Sequence, residues 1–403
     1  MSNSGHFGQY PLYFGEFHGI FTIKRHQTVI KCLSLTFCSS RPFCYRDDVL
    51  DPQPDRDRPE PGAPPQHLAA PAPQRATLAD VARLAGVSAK TVSRVMADDA
   101  KVSAKTRDRV LLAAKRLRFR PNSLARSLRS GGVSNTVAFV IGDLTNPFYF
   151  TAAAGIEREL ADHGLTMILA TTDDAPGSEA VVVDALLAQR VRALLIVPIA
   201  SDQSYLEGER QLGTPVVSVD RPAQNLVADS VVLQNREGTA EAVRALTALG
   251  HRKIAFVCSP AGLYTHQQRL AGYRQALLEA GIQASPEYER LEDLDGPSTE
   301  ESIRDLLALA DPPTAIITGN NRASASAMQQ LLVHRKDIAF IGFDDFELAD
   351  ALGISVIAYD TIELGRQAAR LAIARLVDPA GPPRHIEIPT HLIRRGSGEV
   401  PPP

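Results

Sequence analysis

T-L-A-D-V-A-R-L-A-G-V-S-A-K-T-V-S-R-V, residues 77–95, holds the signals of two short helices and the turn between them. Thr77 with Asp80 three residues on makes a capping box in which Asp80 stands in for the usual Glu or Gln. Val81, Leu84 and Ala85 follow at helical spacing. Gly86 breaks that helix, and Ser88 caps a second one over residues 89–97. Two helices can cross closely enough to place the second in a DNA major groove only with three features. These are a small residue where they touch, a glycine able to reach positive φ in the turn, and an apolar lock on the second helix. Ala82, Gly86 and Val92 supply them in order. Each is common alone; the set is specific for a helix-turn-helix.

Working outward, Ser103 caps a third helix whose apolar stripe reads Val110, Leu111, Ala114 and Leu117, and Arg120-Pro121-Asn122 stops it. A fourth, very short helical stretch covers residues 123–128 and ends at Gly131-Gly132. The 403-residue chain has a net charge of -3, which hides a split. Residues 77–132 carry 13 Lys+Arg against 4 Asp+Glu, whereas residues 133–403 carry 22 against 35. A short basic module joined to a large acidic one implies that only the small part meets a polyanion, the plainer alternative being a solvated charge run.

From Thr136 onward the pattern turns to β-α-β-α. Buried parallel strands are expected at residues 137–141, 167–170, 193–197 and 216–219, and a second set at 254–257, 315–318, 338–341 and 355–358, with amphipathic segments between most of them. The expected fold class is a small all-α helix-turn-helix head plus an α/β core of two similar parallel-sheet subdomains with a cleft between them. The boundaries read 77–122 for the head, 123–132 for a short helix and linker, 133–395 for the α/β core, and 396–403 for a disordered tail. Residues 1–76, dense in Pro, Asp and Arg from Asp47 to Pro73, read as a disordered extension or a mis-assigned start.

Other classes are disfavoured. No apolar run reaches the roughly 18 residues of a membrane span, and no secretory h-region is visible. Cys32, Cys38 and Cys44 lack a matching histidine cluster and Cys258 stands alone, so no metal site or disulfide framework is expected. No cofactor is expected, and the setting reads as cytoplasmic. Gly-x-Ser-x-Gly, P-loop and His-rich motifs are absent, which argues against an enzyme. A free sugar-binding protein would need a secretory signal and no helix-turn-helix.

Residues 77–95, 102–110 (V-S-A-K-T-R-D-R-V) and 118–129 (R-F-R-P-N-S-L-A-R-S-L-R) together resemble the head of the lac repressor family, and the core to about Arg395 resembles the periplasmic sugar-binding fold fused to it. The resemblance implies a dimeric, ligand-responsive repressor that binds a pseudo-palindromic double-stranded operator. It also implies that 123–132 is a hinge and 133–395 a ligand-binding and dimerisation core. Ala89, Lys90 and Arg94 lie where this family reads base edges: Lys90 or Arg94 could donate to guanine, and Ala89 at most meets a thymine methyl. Ser88, Thr91, Ser93 and Asn122 suit phosphate contacts. Lys101, Lys105 and Arg107 read equally well as backbone contacts or a solvated helix start. Residues 123–129 resemble the hinge helix, too short to be stable alone, with Arg126 at the DNA and Leu128 as the minor-groove wedge.

In the core, the resemblance implies an effector site of Asn146, Phe148, Asp220, Arg269, Asn320 and Asp344, with a sugar or related metabolite as ligand. Small ligands in such folds sit at the C-terminal ends of parallel strands. Departures from the family pattern are Asn320-Asn321, where many relatives carry Asn-Asp, and Gln234-Asn235, where many carry Asp-Asn. The connection at residues 333–338 is also shorter than usual. They keep two alternatives open: a regulator with a non-functional cleft, and a co-repressor-dependent regulator of nucleobase type.

Overall fold

The structure is a computed structural model that describes residues 76–96, 99–120, 134–258, 262–291, 298–334 and 337–403. The expectations for residues 1–75, for Asn122 and for the hinge helix with Arg126 and Leu128 lie outside the described residues.

The head holds α1 (Leu78–Ala85), α2 (Ala89–Met96) and α3 (Ala104–Arg116). The Thr77–Asp80 capping box forms, Thr77 N donating to Asp80 Oδ2 at 2.9 Å. Gly86 has φ 62°, and Val87 N–H bonds back to Ala82 O at 3.0 Å, closing α1 in a left-handed cap. Ser88 Oγ accepts from Thr91 N at 3.1 Å, capping α2. The small core joins Val81, Ala82, Ala85, Val92, Val95, Val110, Ala113 and Ala114. Two stripe assignments are corrected here. Leu84 is 49% and Leu111 48% exposed. Ala82 and Ala113 take their places because three helices on so few residues meet through small side chains. Arg109 of α3 adds a lock the sequence reading did not anticipate, donating from Nη2 to Ala85 O at 2.6 Å and Gly86 O at 3.1 Å at the end of α1.

The core contains two six-stranded sheets. The strands are β1 (Thr136–Ile141), β2 (Thr166–Thr171), β3 (Ala193–Ile196), β4 (Val216–Asp220), β5 (Asp229–Leu233), β6 (Ile254–Cys258), β7 (Glu289–Leu291), β8 (Ala315–Thr318), β9 (Ala339–Phe343), β10 (Ser355–Tyr359), β11 (His385–Ile388) and β12 (Thr390–Ile393). The first sheet runs β11-β5-β4-β3-β1-β2 and the second β12-β10-β9-β8-β6-β7. Every pairing is parallel except β10 with β12. Helices α4 (Pro147–Asp162), α5 (Glu179–Leu187), α6 (Glu207–Gln211), α7 (Asn235–Ala248), α8 (Tyr264–Glu279), α9 (Thr299–Leu307), α10 (Asn321–His334) and α11 (Thr361–Val377) complete the chain order.

Alternation along each strand explains the layering. Val137, Phe139 and Ile141 face the cluster shared with Ile156 of α4 and Ala368 of α11, while Ala138 and Val140 face Val183 and Leu186 of α5. In the second sheet Phe256 and Ile317 pack toward Tyr273 of α8, and Val257 and Ile316 toward Ile303 and Leu306 of α9. Close helix pairs need glycine. A Cβ on Gly155 would lie 2.1 Å from Ile362 O, one on Gly365 2.0 Å from Ala152 O, and one on Gly272 2.0 Å from Arg236 O.

The chain passes between sheets three times, from β5 into α7, from β10 into α11, and from β11 to β12. All eight expected strands form. The four not anticipated have identifiable reasons. β5 opens on Asp229-Ser230, and Asp229 is buried only because Arg375 holds it through bonds of 2.6 and 2.7 Å. β7, β11 and β12 are short edge strands. Residues 396–403, expected as a disordered tail, instead close the second sheet. Ser397 Oγ donates to Phe340 O at 2.6 Å, Ser355 Oγ donates to Glu399 at 2.9 Å, and buried His251 donates from Nε2 to Val400 O at 2.8 Å. No helix among the described residues is long and apolar enough to cross a membrane.

Candidate functional site

Two surfaces are candidates. On the head, Ser88, Ala89, Lys90, Ser93 and Arg94 are exposed along one side of α2, opposite the buried Val92 and Val95. Thr91 is half-buried with its hydroxyl 2.9 Å from Ser88 Oγ, so these two residues cap the helix as well as facing outward. Arg94 lies 3.7 Å from Asp99, a loose ion pair that a stronger anion could displace. Arg107, in the first turn of α3, donates to Asp99 O at 3.1 Å and braces the turn before that helix.

The second surface is a cleft, partly open to solvent, between the ends of the two sheets. Asn146, Phe148, Asp220, Arg269, Asn320 and Asp344 all line it, so the six residues singled out in the core come together. Each follows or ends a strand, or stands on the helix after one, at the carboxyl ends of the sheets. Phe148 meets Tyr149 and Tyr359 edge-on, with centroids 5.3 and 6.1 Å apart, forming an aromatic wall. Asn146 caps α4 through Phe148 N at 3.1 Å, and Asn320 caps α10 through Ala323 N at 2.8 Å, so both side chains also build the scaffold.

Arg269 is buried. Its Nε donates to Asn235 Oδ1 at 2.8 Å, one Nη to Gly319 O at 2.5 Å, and its guanidinium lies 3.6 Å from the Phe343 ring centroid. Asp344 accepts from Asn321 N at 2.9 Å and from the Tyr359 hydroxyl. Burial, with the Asp344 charge second, pushes the Tyr359 phenol well above its ordinary range, so it stays an O–H donor. Burial likewise raises the Tyr149 phenol and the carboxyls of Asp220 and Asp174, with Arg221 opposing the rise in all three.

Several lining residues were not singled out from sequence: Tyr149, Asp174, Arg221 and Tyr359. All lie at or just beyond strand ends, so the same positional signal could have found them. Asn235, which matches the family pattern beside the departure at Gln234, is the acceptor that orients Arg269. The other departure spans the cleft: Asn321 Nδ2 donates to Asn146 Oδ1 at 2.8 Å, joining the two sheets' loops. Arg322 adds an ion pair to Asp143 and a 3.2 Å bond to Thr145 across the same gap. No cluster of three metal-ligating side chains occurs among the described residues.

Residues 77–122 match the model described as bacterial regulatory proteins, lacI family, and residues 243–398 match the periplasmic binding protein-like domain. The ribose operon repressor of Escherichia coli K12 is 32% identical over 329 residues, spanning 80% of this chain and 99% of that protein. The chain belongs to the lacI family. Its fold is similar to that of the lac repressor dimer bound to operator and the anti-inducer ONPF, with TM-score 0.72, 27% identity, and 81% and 99% of the two chains covered. It is also similar to the CelR–cellobiose complex, with TM-score 0.59, 29% identity, and 80% and 100% covered. The head and core of this chain are therefore those of a lacI-family transcriptional regulator.

Proposed function

We propose that this lacI-family chain is a dimeric repressor whose affinity for a pseudo-palindromic DNA operator is set by a neutral sugar held in the core cleft. The observation that carries the reading is the convergence of Asn146, Phe148, Asp220, Arg269, Asn320 and Asp344 on one cleft lined by carboxylates, guanidiniums and an aromatic wall. Sugar hydroxyls both donate and accept, and their C–H faces pack on rings. A lining of Asp174, Asp220 and Asp344 with Arg221 and Arg269 offers both partners. Relatives whose structures are described with cellobiose, or with operator and an anti-inducer, support the class of ligand and the DNA partner.

In this reading residues 77–122 are the DNA-binding head and 123–132 the hinge, and the core begins at 133 and runs to the C-terminus. Lys90 and Arg94 read bases, with Ala89 against a thymine methyl. Ser88, Thr91, Ser93 and Asn122 fix register on phosphates, and Arg126 and Leu128 engage the minor groove at the operator centre. In this reading the protein binds its ligand without transforming it, and among the described residues the polar side chains of the cleft form no nucleophile, base and orienter set. It acts in the cytoplasm, where operator and metabolite are both found. Ligand biases how the two sheets' loops approach, and the hinge transmits that bias to the heads.

The test is selection of full-length protein on a random-sequence DNA library, followed by titration of the enriched site against a sugar panel. Enrichment of a palindrome, with an affinity that one sugar changes at least about fivefold, is the expected result. A folded dimer that enriches no site with or without the panel overturns the reading.

A further inference from the structure

The guanidinium of Arg221 is the unfinished part of the cleft. Its side chain is 8% exposed. Nε donates to Asp220 Oδ2 at 3.3 Å and Nη2 to the Tyr149 hydroxyl at 3.2 Å. Nη1 is buried, belongs to a residue that lines the cleft, and has no hydrogen-bond partner among the described residues. A buried charged donor without an acceptor is costly, and a ligand oxygen at that nitrogen removes the cost.

The surroundings define which oxygen fits. Asp220 pairs directly with Arg221. Asp174 comes in from the loop after β2, over Gly142, where a Cβ would stand 2.0 Å from Asp174 Oδ1 and 3.4 Å from the Tyr149 hydroxyl. Glycine at 142 is therefore what admits the second carboxylate. Arg221 acts electrostatically on both carboxyls, and burial drives both upward, so each already resists carrying its charge. An anion at Nη1 would put a third negative charge beside these two, where burial already disfavours charge on both. A hydroxyl avoids this, accepting from Arg221 and donating to a carboxylate.

We propose that Arg221 and Asp174 form a charge filter: Arg221 Nη1 holds an uncharged oxygen of the effector, and Asp174 shuts out the acidic derivatives of the same compound. This rests on the sugar reading of the cleft and adds to it a rule of selection. Neutral sugars pass, whereas their aldonates, uronates and phosphates do not.

The experiment is isothermal titration calorimetry of the full-length chain with D-ribose, D-glucose, D-galactose and cellobiose, each neutral sugar that binds being compared with its own aldonate, uronate or phosphate. The expected result is binding of at least one neutral sugar, with every acidic counterpart weaker by about 30-fold or more. Asp174→Asn should recover at least about tenfold for one of those acids, with a cooperative unfolding transition showing that the variant is folded. Arg221→Lys, which keeps the charge and removes the fork, should weaken the neutral sugar by about tenfold or more. Should Asp174→Asn fail to fold, Asp174→Ser carries the same comparison. An acid that binds the unaltered chain as tightly as its neutral sugar overturns the filter alone, as does an unchanged ratio in the Asp174 variant. If none of the compounds binds, the filter and the sugar reading fall together.

Discussion

Asp220 ends the third strand in from one edge of the first sheet, and Asp344 follows the strand at the same place in the second. Both have positive φ, 70° and 72°, a conformation that an aspartate adopts at the cost of local strain. The two subdomains therefore bring a carboxylate to the cleft by the same backbone device. They differ in what surrounds it. Asp344 is engaged by Asn321 N and Tyr359, and the arginine on that side, Arg269, is taken up by Asn235, Gly319 and Phe343. On the other side Arg221 retains a donor without an acceptor. One half is satisfied by its own chain and serves as a frame; the other is completed from outside.

The sharpest way to break this contrast is to remove both arginines in turn. Arg269→Ala would leave a void over Phe343 and strip Gly319 O and Asn235 of their donor, costing the unliganded chain about 3 kcal/mol or more in urea unfolding. Arg221→Lys should cost less than about 1 kcal/mol in the same assay, because the residue it replaces is incompletely bonded before ligand arrives. Equal losses would erase the distinction between frame and acceptor.

Helix packing gives a second comparison. Gly365→Ala forces a methyl against Ala152 O between α4 and α11, and Gly272→Ala forces one against Arg236 O between α7 and α8. Each should lower stability by about 2 kcal/mol by calorimetry, and similar costs in both halves would mark the close crossing as a shared requirement.

The clasp over the cleft is weaker. Asn321→Asp replaces the amide that donates to Asn146 with a second acceptor, and the two then repel. A loss near 1 kcal/mol is expected, together with a more open cleft in small-angle scattering. An unchanged scattering profile would show that the Arg322–Asp143 pair holds the lips without it.

The smallest effect is on pH. The carboxyls of Asp174 and Asp220 are raised by burial, so above about pH 4 the folded chain binds more protons than the unfolded one. Their contribution to stability therefore falls as pH rises through that interval. Asp174→Asn should flatten this part of the stability–pH curve; an identical slope would mean that the Asp174 carboxyl is not perturbed in the folded chain.

The head was legible nearly to the atom, since a capping box, a turn glycine and an N-cap serine are local and their residues name their roles. Its helix stripes were less so. Val110 and Leu111 look alike in sequence, and only the third helix decides which is covered. In the core, apolar runs announced the central strands, while β5 stayed hidden behind an aspartate that Arg375 neutralises from 146 residues away. Cleft residues with an inherited pattern could be named. Arg221 and Asp174 carry the same strand-end signal but were passed over, because nothing in their immediate sequence shows that Gly142 and Tyr149 converge on them.

The triple passage of the chain between the sheets has a genetic corollary. Neither half of the core corresponds to one continuous stretch of gene, since β11 and α11 return to the first sheet after the second is built. A truncation or an exchange of coding segments between relatives cannot swap one lobe and spare the other. Inheritance of the two walls of the cleft is thereby linked: selection for a new ligand must proceed by substitution within both, not by borrowing either as a cassette.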